Sequence, residues 1–108
     1  MPRYMTQFAY TTEAWASLVN SPEDRAEILG ELLDNLGGRL LDLHYCRGEY
    51  DGVFIFDAPD EATANAVVLA AITPGHIKAT KTTELFTVNE MMDALRKAGT
   101  VAHRGPRR

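Results

Sequence analysis

The sequence predicts one α+β domain: a four-stranded antiparallel sheet, its main helices on one face, and a further helix near the C-terminus. Three observations predict it. Four stretches read as strands, YMTQFAY (4–10), RLLDLHYC (39–46), DGVFIFDA (51–58) and HIKATKTTELFT (76–87). Three others, 21–38, 60–73 and 87–99, carry helix caps around apolar positions at helical spacing. Finally, the connections are short, with no internal repeat, low-complexity tract or linker, which suits a single domain of 108 residues.

The first strand alternates strictly. Tyr4, Thr6, Phe8 and Tyr10 share one face, and Met5, Gln7 and Ala9 the other. TTEAWASLVN (11–20) follows as a loop or short helix carrying the only tryptophan, Trp15. In 21–38, Ser21 is a good N-cap, Pro22 fits the first helical position, and Asp24 completes an approximate capping box. Ile28, Leu29, Leu32, Leu33 and Leu36 form one apolar stripe, and Gly37-Gly38 supplies a left-handed stop. The second and third strands form a hairpin around Arg47–Gly52. Asp60 caps the next helix, whose alanines and valines suggest close packing on the sheet. The last helix opens on a Thr87-x-x-Glu90 capping box, presents Met91, Met92 and Leu95, and reaches a stop signal at Gly99. The order βαββαβ is the split βαβ, ferredoxin-like plan. Residues 1–99 make the expected domain, and 100–108 a basic, flexible tail.

The third strand raises the question of assembly. Val53 and Ile55 point to one face, Phe54 and Phe56 to the other, so both faces are apolar. Helices cover one face only. The expectation drawn here is that Phe54 and Phe56 lie on the helix-free face and are shielded by a second copy in a homodimer or higher homo-oligomer. The alternative cover is the chain's own last helix, which is narrow for a four-stranded face.

Composition excludes some functions. Net charge is −4, and three of the eleven basic residues, Arg104, Arg107 and Arg108, crowd the last five positions. The remaining body is strongly acidic, which argues against nucleic acid as a partner. Cys46 is the only cysteine, so no intrachain disulfide forms. The start MPRYMTQF has no apolar signal-peptide core, and the run AVVLAAI (66–72) is too short to span a bilayer. The expectation is a cytoplasmic protein without a membrane partner.

In this topology the end of the first strand, the hairpin turn and the start of the fourth strand share one end of the sheet. That gathers Tyr10, Trp15, Tyr45, Arg47, Tyr50, Asp51 and His76 as candidate ligand-binding residues, with Asp51 and His76 as candidate proton carriers. Each has a structural reading as well. Asp51 can tie the hairpin by accepting backbone N–H bonds, Tyr50 can pack at an interface, and Gly48 and Gly52 are turn glycines. His44 and Cys46 fall short of a tetrahedral metal pattern, so no metal is expected. Glycine-rich phosphate loops, G-x-S-x-G and H-E-x-x-H are absent from the sequence, and no cofactor is expected.

At Gly48-Glu49-Tyr50-Asp51 the chain resembles the GYD family. The likeness includes MPRYMTQFAYT, SPEDR, LGGRLLD, FDAPDEATA and GHIKATKTTELFT, and spans residues 1 to about 99. It implies a ferredoxin-like fold of the dimeric α/β-barrel type and little about activity. Two functions stay open. One is an oligomeric small-molecule-binding or regulatory module. The other is a cofactor-independent isomerase or oxygenase acting on an aromatic or lactone-like substrate, with Tyr50 and Tyr10 as positioners and Arg47 as an anion clamp.

Overall fold

The computed structural model describes residues 1–102. Its elements run β1 (Arg3–Tyr10), α1 (Thr12–Asn20), α2 (Arg25–Asn35), β2 (Arg39–Tyr45), β3 (Gly52–Asp57), α3 (Glu61–Ile72), β4 (Ile77–Leu85) and α4 (Val88–Ala102). The four strands form one antiparallel sheet in the order β2-β3-β1-β4.

Local chemistry explains the helix boundaries. The stretch carrying Trp15 is helical: the Thr11 hydroxyl accepts from the Ala14 N–H and starts α1. Ser21 does not cap α2, as the sequence suggested; it ends α1, its N–H donating to the Ser17 carbonyl. The α2 cap is Asp24, whose carboxylate accepts from the Ala26 and Glu27 N–H groups. A carboxylate there also meets the positive end of the helix dipole, which favours Asp24 over a hydroxyl three residues earlier. Asp60 caps α3 through the Thr63 N–H. The capping box of α4 closes in both directions, Glu90 N–H to Thr87 Oγ1 at 3.0 Å and Thr87 N–H to Glu90 Oε1 at 2.7 Å. Gly99 does not stop this helix, which continues through Ala102 with no left-handed residue near its end. Thr100–Ala102, expected in the tail, are therefore helical, and 103–108 lie outside the described residues.

The core sits between the sheet and α2/α3. Tyr4, Thr6, Phe8 and Tyr10 of β1 are all buried, at 1–5% exposure. Residues opposite one another across a ladder share a face. Tyr4 pairs with Phe56 and Thr6 with Phe54, so the phenylalanines of β3 lie on that same face. Phe54 and Phe56 are 4% and 0% exposed, clustered with Leu33 of α2 and with Ala64 and Val67 of α3. This corrects the expectation that Phe54 and Phe56 form an intersubunit seam on the helix-free face. They are core residues roofed by the chain's own helices.

The helix-free face instead carries Met5, Gln7 and Ala9 of β1 and Val53 and Ile55 of β3 along its centre. Ala9 is 3% exposed and the other four are half-buried. The margins are polar: the Arg3–Asp57 pair at 2.8 Å, His44 beside Asp42, and Lys81. α4 does not cover this face. None of its residues is buried, and Val88, Met91, Met92, Leu95 and Val101 are all exposed. The radius of gyration is 18.1 Å, against about 13 Å for a compact domain of this size, because α4 stands off the body.

Burial sets the cost of truncation. Phe56→Ala should lower unfolding free energy by about 3–5 kcal/mol, read from the urea midpoint at unchanged slope. Ile55→Ala, half-exposed one position away, should cost clearly less in the same measurement. Equal losses would contradict the assigned facing of β3.

Candidate functional site

The hairpin end gathers most of the residues expected there. Asp51 Oδ2 accepts from the Tyr10 backbone N–H at 2.8 Å and from the Trp15 indole N–H at 3.2 Å. The Asp51 N–H donates to the Phe8 carbonyl, and its carbonyl accepts from the Cys46 N–H, both at 2.8 Å. One residue thus fastens the turn to the end of β1 and to α1. Trp15 packs edge-on against Tyr10, with ring centres 5.1 Å apart, and also approaches Tyr45. The Tyr10 and Tyr45 hydroxyls are 3.3 Å apart. Tyr50 is half-buried, its carbonyl accepting from the Cys46 thiol, whereas Arg47 is exposed.

The two glycines flanking this stretch have distinct reasons. Gly48 has φ +149°, a conformation side chains disfavour. Gly52 pairs with Phe8, and a Cβ there would collide with the Phe8 ring. The ring occupies the space a side chain would need.

An apolar cavity opens beside this cluster, between the sheet and the two helices. Its volume is about 280 Å³. Phe8, Phe54 and Leu43 form its sheet-side wall with Thr6 and Thr80. α2 contributes Arg25, Ile28, Leu29 and Leu32, and α3 contributes Val68, Ala70 and Ala71. At this level α3 presents the small side chains of Ala70 and Ala71. Close packing holds at Ala64 and Val67, further up the same helix, but not here.

Of the expected site residues, Tyr10 lines this cavity. It also lines a smaller recess of about 50 Å³ together with His76, Ser17, Glu23 and Arg25. Trp15, Tyr45, Arg47, Tyr50 and Asp51 border neither space. Arg25 went unremarked in the sequence, where nothing distinguishes it from a solvated helix-start arginine. Its Nη1 lies 2.7 Å from Glu23 Oε1, and its side chain is 33% exposed. Burial works to lower the Arg25 pKa, but the Glu23 carboxylate and Tyr10 outweigh it, so the guanidinium is held above its ordinary range. Burial, then the Tyr45 hydroxyl, pushes Tyr10 well above the usual phenol range, against a smaller opposing pull from Arg25. The Tyr10 hydroxyl therefore keeps its proton. Among the described residues no cluster of three or more His, Cys, Asp or Glu could hold a metal ion, and no helix is long and apolar enough to cross a membrane.

The Asp51 fastening predicts a measurable outcome. Asp51→Ala should cost roughly 2–3 kcal/mol, since it removes a charged acceptor from two donors. It should also shift Trp15 emission to the red as the indole loses its partner. Unchanged stability and emission would show the fastening to be dispensable. Gly52→Ala should destabilise as well, because Phe8 must leave its place.

Comparison with known proteins places these features in a family. Over 96 residues the chain is 29% identical to the glutamine synthetase and cystathionine beta-lyase binding protein of Thermus thermophilus, covering 89% of this chain and 100% of that one. Solved structures share the fold at low identity. TTHA0845, also from Thermus thermophilus, matches with TM-score 0.53 and 19% identity over 82% of this chain and 96% of its own. MtbAldR matches with TM-score 0.58 and 13% identity over 80% of this chain, which spans about half (53%) of that protein's length. The family model described as the GYD domain matches residues 4–95, and the chain belongs to the GYD domain family.

Proposed function

We propose that this chain is a small-molecule-binding or regulatory module of the dimeric α/β-barrel type, working as a homo-oligomer, with its ligand held between the sheet and α2/α3. The observation that carries the reading is the cavity of about 280 Å³, apolar on its walls and edged by Arg25 and Tyr10. An apolar hollow with a few convergent polar groups is the usual form of a ligand site. The Thermus thermophilus relative is named for binding two enzymes, glutamine synthetase and cystathionine beta-lyase, which supports a binding or regulatory role over a catalytic one.

The geometry at Asp51 weighs the same way. A general base needs a free lone pair aimed at substrate. Asp51 lines neither space, so its carboxylate does not face a ligand there, and its Oδ2 is shared by Tyr10 and Trp15. His76 borders the recess without a carboxylate hydrogen-bonded to it. Neither Asp51 nor His76, the proton carriers the sequence suggested, borders the main cavity.

The helix-free face supports self-association through Met5, Ala9, Val53 and Ile55. A mostly apolar strip, interrupted by Gln7 and framed by charged margins, suits a two-fold sheet-to-sheet contact. A second reading, an adaptor that docks a metabolic enzyme, is favoured by α4, whose exposed stripe of Val88, Met91, Met92 and Leu95 has no partner within the described residues.

Native mass spectrometry tests the main reading. The protein should fly as an oligomer carrying a small-molecule mass, and Ala71→Trp, which fills the cavity, should lose that mass while staying folded. Retention of the adduct by Ala71→Trp would remove the cavity from consideration. Val53→Asp with Ile55→Asp should give a folded monomer by sedimentation; a persisting oligomer would exclude this face.

A further inference from the structure

The polar end of the cavity carries a charge pattern that selects among ligands. Arg25 and Tyr10 line both the main cavity and the smaller recess, so the two spaces share these side chains as a common wall. Glu23 lines the recess and holds Arg25 at 2.7 Å. One positive and one negative group therefore stand side by side where the apolar hollow ends. A ligand with a lone carboxylate would gain from Arg25 and be repelled by Glu23. A lone amine would meet the reverse. A ligand bearing both charged groups on one carbon satisfies both at once, with like charges kept apart. The Arg25 and Glu23 side chains are 33% and 50% exposed, and part-exposed pairs of this kind contribute little by themselves. Re-pairing each with a ligand charge then costs little. The protonated Tyr10 hydroxyl adds a donor beside Arg25. The hollow lies just below the range of about 300–1,000 Å³ typical of drug-sized ligands, which points to a ligand of about ten heavy atoms.

Resting on the ligand-binding reading above, we propose that the cavity takes an apolar α-amino acid as its zwitterion. The side chain lies among Ile28, Leu32, Leu43 and Phe54, the carboxylate meets Arg25 and Tyr10, and the ammonium meets Glu23. The α-carbon is the one linkage in common metabolites that holds a carboxylate and an ammonium this close together while leaving a third substituent free to enter an apolar space.

Isothermal titration calorimetry on the full chain at neutral pH tests this. The ligands are L-leucine, L-methionine and L-phenylalanine, then 4-methylpentanoate (leucine without its ammonium), 3-methylbutylamine (leucine without its carboxylate), and 3-methylbutanol as an uncharged apolar probe. At least one amino acid should bind at one site per chain. Each single-charge analogue should bind roughly tenfold or more weakly, the usual loss for a charged hydrogen bond. Arg25→Gln and Glu23→Gln, with urea midpoints checked against the parent, should each weaken the amino acid by a similar factor. If 4-methylpentanoate or the amine binds as well as leucine, or if Glu23→Gln leaves amino-acid affinity unchanged, the zwitterion assignment falls and the cavity remains a ligand site. Binding of the alcohol without any amino acid has the same meaning. If even the alcohol does not bind, the cavity reading falls with it.

Discussion

The row of rings on one side of β1 and β3 decides most of this molecule. Tyr4 stacks on Phe56, and Phe8 meets both Phe54 and Tyr10, with ring centres 5.2–6.0 Å apart. These rings are buried because α2 and α3 lie over them, and Leu33 and Val67 reach zero exposure doing so. Removing such surfaces from water is the largest favourable term available to a domain of this size. Once these side chains are inside, the alternate residues must face the other way. The identity of the free face, with Met5, Ala9, Val53 and Ile55 at its centre, follows from the same constraint.

That constraint also explains where the chain was legible and where it was not. β1 has one aromatic face and one mixed face, so its core side reads directly from Tyr4, Phe8 and Tyr10. β3 has two apolar faces, and period-two alternation divides VFIF into two sets without saying which meets the helices. The missing information lies in the pairing: Phe56 stands opposite Tyr4 and Phe54 opposite Thr6. Strand-by-strand reading cannot supply it, but aligning each strand with its neighbour's unambiguous face could. The caps at Asp60 and Thr87–Glu90 were legible because capping is local chemistry over four residues. Ser21-Pro22 misled because its signals are equally those of a helix end followed by a turn, and the deciding competitor, Asp24, sits within the same stretch.

The candidate site divides along similar lines. The topology placed Tyr10, Tyr45, Asp51, Trp15 and His76 at one end of the sheet; the first four contact one another, and His76 shares only the small recess with Tyr10. The cavity, however, is lined by Ala70 and Ala71, on a helix whose small residues suggested close packing. Small residues permit either close approach or a void, and which one results depends on how far the opposite wall stands off. Arg25 was invisible for a related reason. Its value comes from standing at the meeting of two spaces, and no local pattern marks that.

The family-defining stretch and the cavity are nevertheless connected, through Tyr10. Asp51 holds the Tyr10 backbone, Trp15 packs on its ring, and the Tyr45 hydroxyl meets its hydroxyl. Gly52 leaves room for Phe8, whose ring packs between Tyr10 and Phe54 and forms part of the cavity wall. Neither Asp51 nor Gly52 borders the cavity, yet each fixes a ring that does. A binding wall built from aromatic rings needs those rings held by groups behind them, since a ring free to rotate away no longer defines a shape. The Gly-Glu-Tyr-Asp-Gly turn thus ties down the Tyr10 backbone through Asp51 and, at Gly52, leaves Phe8 its place in the cavity wall.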